Sequence, residues 1–172
     1  MKKFSDYFLN FCVLWKKVVF QPKEFFKNIH VIGYGPPFYF FMTCCAVSWF
    51  LGCLIFPRGG IAGILASAFS SLLMIVIFFF IAGLQRVVAK FLGSQEDMEH
   101  CFWIVAFSGA PAILFFIPVL GWILSLYGIV LMFHGVRIVC HLSDVKTMVV
   151  VLAPMVLLLP FALFILMLMK IH

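Results

Sequence analysis

The sequence predicts an all-α integral membrane protein in which five transmembrane helices follow an amphipathic amino-terminal helix. Hydrophobic residues make up 66% of the 172 residues, and charged residues make up only 10%. A soluble globule of this size needs far more polar surface, so the bilayer is predicted to be the solvent of most of the chain. Five apolar stretches follow one another, and each is near the ~20 residues with which an α-helix crosses the hydrocarbon core.

Prolines mark the places where the apolar stretches end or bend. Pro118 separates the third stretch from the fourth, while Pro154 and Pro160 predict kinks within the fifth. Residues 1–35 are predicted to form a cytoplasmic amphipathic segment ahead of a membrane domain of residues 36–172. The five predicted spans are residues 37–56, 61–84, 102–117, 119–139 and 148–169.

The basic residues predict the orientation of the chain, because lysine and arginine near span ends are retained on the cytoplasmic side. With the amino terminus inside, two basic residues, Arg58 and Lys170, lie outside, and ten lie in the cytoplasm. An odd number of spans then places the carboxyl terminus outside. The ten cytoplasmic residues are Lys2, Lys3, Lys16, Lys17, Lys23, Lys27, Arg86, Lys90, Arg137 and Lys146.

The amino-terminal helix has an aromatic arc opposite a lysine-bearing arc when residues are placed 100° apart. Such a helix is suited to the headgroup plane, where its rings enter the acyl boundary and its ammonium groups meet anionic lipid. The same aromatic arc could instead pack on the cytoplasmic ends of the spans, and the sequence leaves both interpretations open. The residues assigned to the membrane interface are Phe4, Phe8, Phe11 and Trp15.

The distribution of reactive side chains argues against catalysis and ion-coupled transport. All acidic residues lie outside the predicted spans, so no span carries the carboxylate of a proton-coupled transporter or the carboxylate pair of an intramembrane aspartyl protease. Ser108 could use His134 or His141 as a base, but no spacing compels that pairing. We expect no catalytic residue, no cofactor and no enzyme activity. Nucleic acid is not expected as a partner either, because the basic residues form no stripe with interleaved aromatics.

One polar face stands out near the end of the fourth span. Its residues, His134, Arg137, His141 and Asp144, are spaced by three, four and three, and they share a narrow arc if the fourth helix continues that far. Metal binding is one interpretation, but the histidines lie two helical turns apart, which is not typical of a zinc site. Ion pairing at the cytoplasmic end is the favoured interpretation, with no metal bound.

Two short motifs carry a resemblance to a known family. Tyr34, Gly35 and Pro36 precede the first span, and Phe107, Gly109 and Pro111 lie in the third. In their order and position, these motifs resemble those of the Yip family, small membrane proteins that interact with Ypt and Rab GTPases in eukaryotes. The resemblance implies a five-span membrane domain. The family's Asp-Leu ahead of Tyr34 is replaced here, which counts against GTPase binding.

The short amino-terminal segment resembles that of a bacterial family member. It implies the bacterial inner membrane as the location, with the membranes of the eukaryotic endoplasmic reticulum or Golgi as the alternative. The expected function is that of a non-enzymatic membrane scaffold or interaction protein, whose partners are the lipid bilayer and other membrane proteins, further copies of the chain included. The alternative is a small-solute or ion transporter or channel, in which helices broken at Pro111, Pro154 and Pro160 would expose carbonyls beside a cavity.

Overall fold

A computed structural model describes the backbone of residues 2–29, 33–55, 60–115 and 117–170. It describes the side chains of most of residues 10–160, apart from residues 30–32, 54–72 and a few isolated positions. Every regular element in this part of the chain is helical, which confirms the predicted all-α class. The helices are α1 (Lys2–Phe20), α2 (Pro22–Lys27), α3 (Gly35–Ile55), α4 (Gly60–Phe91), α5 (Met98–Ser108), a 3₁₀ helix (Ala110–Leu114), α6 (Pro118–Val139) and α7 (Asp144–Lys170).

Three of these helices are long and apolar enough to cross a membrane, within Gly35–Cys53, Leu73–Phe91 and Val119–Val139. They correspond to the first, second and fourth predicted spans. The fifth predicted span falls in α7, which has 27 residues. The side chains of residues 161–170 lie outside the described part of that helix. The count of five spans therefore stays a prediction.

The third predicted span, residues 102–117, is not one continuous helix. Its apolar segment, Met98–Leu114, consists of α5 followed by the 3₁₀ helix. Pro111 has no N–H group to continue the α-helical ladder, and the chain tightens instead, with the Ala112 N–H donating to the Gly109 carbonyl at 2.9 Å. The sequence indicated a broken helix at Pro111, and the structure shows the break as the change from α5 to the 3₁₀ helix.

The α5 helix lies at the centre of the bundle, packed against α3, α4 and α6. Every residue from Cys101 to Ser108 is buried. The helix runs antiparallel to α6, and two glycines of α6 allow the close approach: a Cβ at Gly135 would lie 2.7 Å from Ile104 Cγ2, and one at Gly128 would lie 3.2 Å from the Ser108 carbonyl oxygen. Small residues of this kind let helices in a membrane gain van der Waals contact along their backbones.

The α6 helix ends at Val139, which changes the predicted polar face. Cys140 caps the helix, and His141 adopts a positive φ of 51°, the left-handed conformation that commonly stops a helix. Asp144 is instead the first residue of α7. The four residues of the predicted face therefore do not share one helical arc, because the condition that the fourth helix continues is not met.

We expect Gly135→Ala to destabilise the protein, because Ile104 is fully buried and the ring of Phe26 would also lie only 3.1 Å from the new Cβ. Overpacking of this kind costs roughly 1–3 kcal/mol, and better helix propensity returns up to about 1 kcal/mol. The matched control is Gly83→Ala, whose Cβ would meet only Met98 Cε at an ordinary 3.8 Å. Thermal unfolding in micelles should show a lower Tm for Gly135→Ala and an equal or higher one for Gly83→Ala. Equal Tm values for the two variants would contradict this packing.

Candidate functional site

The segment that leads into α3 is held by the first turns of α5. Gly33 has a φ of 85°, a conformation that glycine adopts without strain. Its N–H donates to Glu99 Oε1 at 2.5 Å, and its carbonyl accepts a bond from Trp103 Nε1 at 3.1 Å. Glu99 and Trp103 are four residues apart and so lie on one face of α5. Both backbone groups of Gly33 are therefore satisfied by side chains of the central helix.

The first family-like motif directly follows this bonded glycine. The Tyr34 ring lies 5.5 Å from the Phe102 ring, and the Tyr34 carbonyl accepts a bond from the Phe38 N–H at 3.1 Å. Gly35 begins α3, and Pro36 lies in its first turn, where the missing N–H of proline is not needed by the helix. The motif thus forms the start of α3 on the side that faces α5.

The second family-like motif lies at the end of α5. Phe107 is buried, with its ring centroid 4.9 Å from that of Phe25 and 5.1 Å from that of Phe40. A Cβ at Gly109 would lie 2.8 Å from the ring of Phe41, so this position has no room for a side chain. Pro111 is buried in the 3₁₀ helix. Through Phe40, one turn after Pro36, the structure brings the two motif segments together.

The aromatic arc of α1 packs against this part of the bundle. Phe11 is buried, with its ring centroid 5.4 Å from that of Phe40, and Trp15 Nε1 donates to the Ala110 carbonyl at 2.9 Å. This geometry corresponds to the packing interpretation of Phe11 and Trp15. The side chains of Phe4 and Phe8 lie outside the described residues, so the interfacial role predicted for the arc stays a prediction.

Two further contacts fix α1 and α2 to α6. The Tyr127 hydroxyl donates to the Val19 carbonyl near the end of α1, and Phe26 of α2 is buried beside Gly135. The i to i+4 backbone pattern continues across the junction between α1 and α2, with the Gln21 N–H bonded to the Lys17 carbonyl at 2.9 Å. Both α1 and α2 are therefore attached to the bundle by specific contacts.

A cavity of about 380 Å³ lies between these two helices and the bundle. Its apolar lining is formed by Leu14, Phe25, Ile29, Pro36 and Phe107, and its polar lining by Lys17, Gln21, Glu24 and Asn28. This cavity was not predicted from the sequence. The available signal was the spacing of the four polar residues by four, three and four, a spacing at which side chains share one side of a helix.

The residues of the predicted polar face occupy different environments. Arg137 Nε lies 2.8 Å from Asp144 Oδ1, and both side chains are largely exposed. His134 is partly buried beside Phe133, whereas His141 is exposed in the loop after α6. Among the described residues, no three His, Cys, Asp or Glu side chains are grouped so that they could hold a metal ion.

Polar contacts also surround the loop between α4 and α5 at this end of the bundle. Arg86 lies 4.0 Å from Asp97, Glu96 lies 3.0 Å from His100, and Lys146 Nζ donates to the Leu92 carbonyl at 2.9 Å. Exposed ion pairs contribute little to stability. We therefore infer that these contacts hold the loops in position and add little to the stability of the fold.

Comparison with known proteins places this arrangement in a family. The family model described as the Yip1 domain matches residues 16–166, which include both motif segments, the central helix and all of the cavity lining except Leu14. Searches of curated proteins and of solved structures gave no significant match. The match covers most of the chain and confirms the resemblance carried by the two motifs, so the chain belongs to the Yip1 domain family of membrane proteins.

Proposed function

We propose that this protein is a non-enzymatic membrane scaffold that presents α1 and α2 as an interaction surface at the cytoplasmic face. The observation that carries the proposal is the double attachment of α1, through the Trp15 bond to Ala110 and the Tyr127 bond to Val19. The aromatic side of α1 is used for packing, and an exposed basic surface remains on the two helices. This surface consists of Lys16, Lys17, Lys23 and Lys27.

The surroundings of Ser108 support a function without catalysis. This serine was the nucleophile that the sequence offered, and its side chain is buried with no hydrogen-bond partner for Oγ. A serine nucleophile needs a base within hydrogen-bond reach to remove its proton. The Ser108 carbonyl oxygen also lies close to α6, where a Cβ added at Gly128 would come within 3.2 Å of it.

The orientation that we propose has the amino terminus in the cytoplasm and the carboxyl terminus outside, in a bacterial inner membrane. The contacts of the loops support it, because Lys146 joins the start of α7 to the end of α4, and Arg137 joins the end of α6 to Asp144. Arg137 and Lys146 therefore lie at the same end of the bundle as the loop after α4, which is the end that the positive-inside rule predicts to be cytoplasmic. The membranes of the endoplasmic reticulum or Golgi remain the alternative location.

The proposed count of five spans takes the apolar segment Met98–Leu114 as the third, following the sequence pattern. The exposed side of α7, which includes Val145, Met148 and Leu152, would contact lipid or other membrane proteins, further copies of the chain included. No GTPase is assigned as a partner, because the two positions before Tyr34 are Ile32 and Gly33.

The orientation can be tested with reporters fused to the carboxyl terminus. Because an odd number of spans leaves that terminus outside, an alkaline phosphatase fusion should be active and a green fluorescent protein fusion dark in bacteria. Fusions ending in the loop between α4 and α5 should give the reverse pattern and serve as the control. A fluorescent fusion at the carboxyl terminus together with an inactive phosphatase would contradict five spans.

The scaffold function can be tested with a photo-crosslinking amino acid on the exposed face of α1. Phe20 is 68% exposed beside the basic surface, and Phe91 is 87% exposed at the end of α4, which makes it a matched control outside the proposed surface. Crosslinking in cells should give discrete protein adducts from position 20 that are absent from position 91.

Equal or diffuse crosslinking from positions 20 and 91 would contradict the scaffold function. The purified protein in liposomes should also pass Na⁺, K⁺, Cl⁻ and glycerol no faster than empty liposomes do. Selective flux of one of these solutes above the background of empty liposomes would favour the transporter alternative.

A further inference from the structure

The cavity under α1 and α2 has the size and the mixed lining of a ligand site. Its volume of about 380 Å³ lies within the range of small-molecule pockets. One wall is apolar and includes Phe25 and the buried ring of Phe107. The other wall is a polar row along the two helices, so a ligand in this cavity would have to be amphipathic.

The polar row carries one positive and one negative side chain. Lys17 lies in the last turn of α1 and Glu24 in the first turn of α2, and both line the cavity, where two flexible side chains can reach a ligand bearing both charges. Gln21 and Asn28 add amide groups on neighbouring turns, which can donate to oxygen atoms. The complementary ligand therefore has an anionic and a cationic group in one head.

We propose that this cavity binds the headgroup and first chain carbons of a zwitterionic phospholipid of the phosphatidylethanolamine class. The phosphate would lie at Lys17 and accept a bond from the Gln21 amide, while the ammonium would donate to Glu24. The glycerol and the start of the acyl chains would contact the wall of Phe25 and Phe107. This inference rests on the proposed position of α1 and α2 at the membrane surface, where such a lipid can enter.

The chemistry of the polar row distinguishes ethanolamine from the other common headgroups. Choline carries a positive charge but no N–H group, so it cannot donate a hydrogen bond to Glu24. Phosphatidylglycerol carries no cation and would leave the Glu24 carboxylate beside an anionic ligand. A phosphatidylethanolamine headgroup satisfies both charged side chains at once.

The test is native mass spectrometry of the full chain in micelles, titrated with phosphatidylethanolamine, phosphatidylcholine and phosphatidylglycerol of identical acyl chains. One charge-assisted hydrogen bond corresponds to roughly tenfold in affinity, so half-saturation should need about tenfold less phosphatidylethanolamine than phosphatidylcholine. Soluble glycerophosphoethanolamine should displace little lipid, because it lacks the chains that contact the apolar wall. Full displacement by the soluble headgroup at equal concentration would overturn the lipid assignment.

Substitutions of Lys17 and Glu24 test the role proposed for each charge. Both side chains are exposed, so the substitutions should leave the fold intact. Lys17→Ala should weaken all three lipids by roughly tenfold, and Glu24→Gln should abolish the preference for phosphatidylethanolamine over phosphatidylcholine. Lys16→Ala and Lys23→Ala are matched controls, because these lysines are exposed and adjacent but do not line the cavity. Both controls should bind lipid as the parent does.

Equal binding of the three lipids by the parent, or the same loss in the lysine controls as in Lys17→Ala, would overturn the proposal and indicate attraction to surface charge alone. The proposed function has a separate readout in crosslinking from position 20. Loss of the lipid preference with that crosslinking intact would reject the lipid site without rejecting the scaffold.

Discussion

The enclosure of α5 by protein on all sides is the constraint on which the rest of the structure depends. An apolar helix of this kind normally faces lipid on at least one side, yet α3, α4 and α6 surround it, and α2 covers its Phe107 end. Close approach is possible because Gly128, Gly135 and Gly109 present no side chains at the contacts. Without a strong hydrophobic force between helices in lipid, such van der Waals contact is a main source of association.

The two motif segments are explained by this central helix. The first motif follows Gly33, whose N–H and carbonyl are bonded by Glu99 and Trp103 of α5. The second motif ends α5 and places Phe107 where it meets rings from α2 and α3. The first motif therefore lies at the position where α3 starts beside α5. The second motif provides the Phe107 ring on which the amino-terminal helices pack.

Much of this architecture is visible in the sequence, and the remainder depends on contacts that a sequence pattern does not encode. Periodicity placed Phe11 and Trp15 on one arc, but it could not distinguish a lipid surface from a protein surface, since both are apolar. Pro111 marked a break in the segment around α5, but the sequence did not show that the chain continues there as a 3₁₀ helix. The polar face around Arg137 required α6 to continue, and the left-handed His141 stops it. The cavity was not predicted because its polar residues are divided between α1 and α2, which are separate helices on the two sides of Gln21.

In the structure, α1 and α2 are docked on the carboxyl-terminal end of α5 and do not lie free in the headgroup layer. Hydrogen exchange of residues 11–26 in nanodiscs tests this docking most directly, compared between the parent and Phe107→Ala, which removes the ring beneath Phe25. We predict protected amides in the parent and at least roughly tenfold faster exchange in the variant, because the lost packing lowers the local opening free energy by more than about 1.4 kcal/mol. Exchange of residues 73–91, the control, should be the same in both proteins. Rapid exchange of residues 11–26 in the parent, or identical protection in both proteins, would contradict the docking.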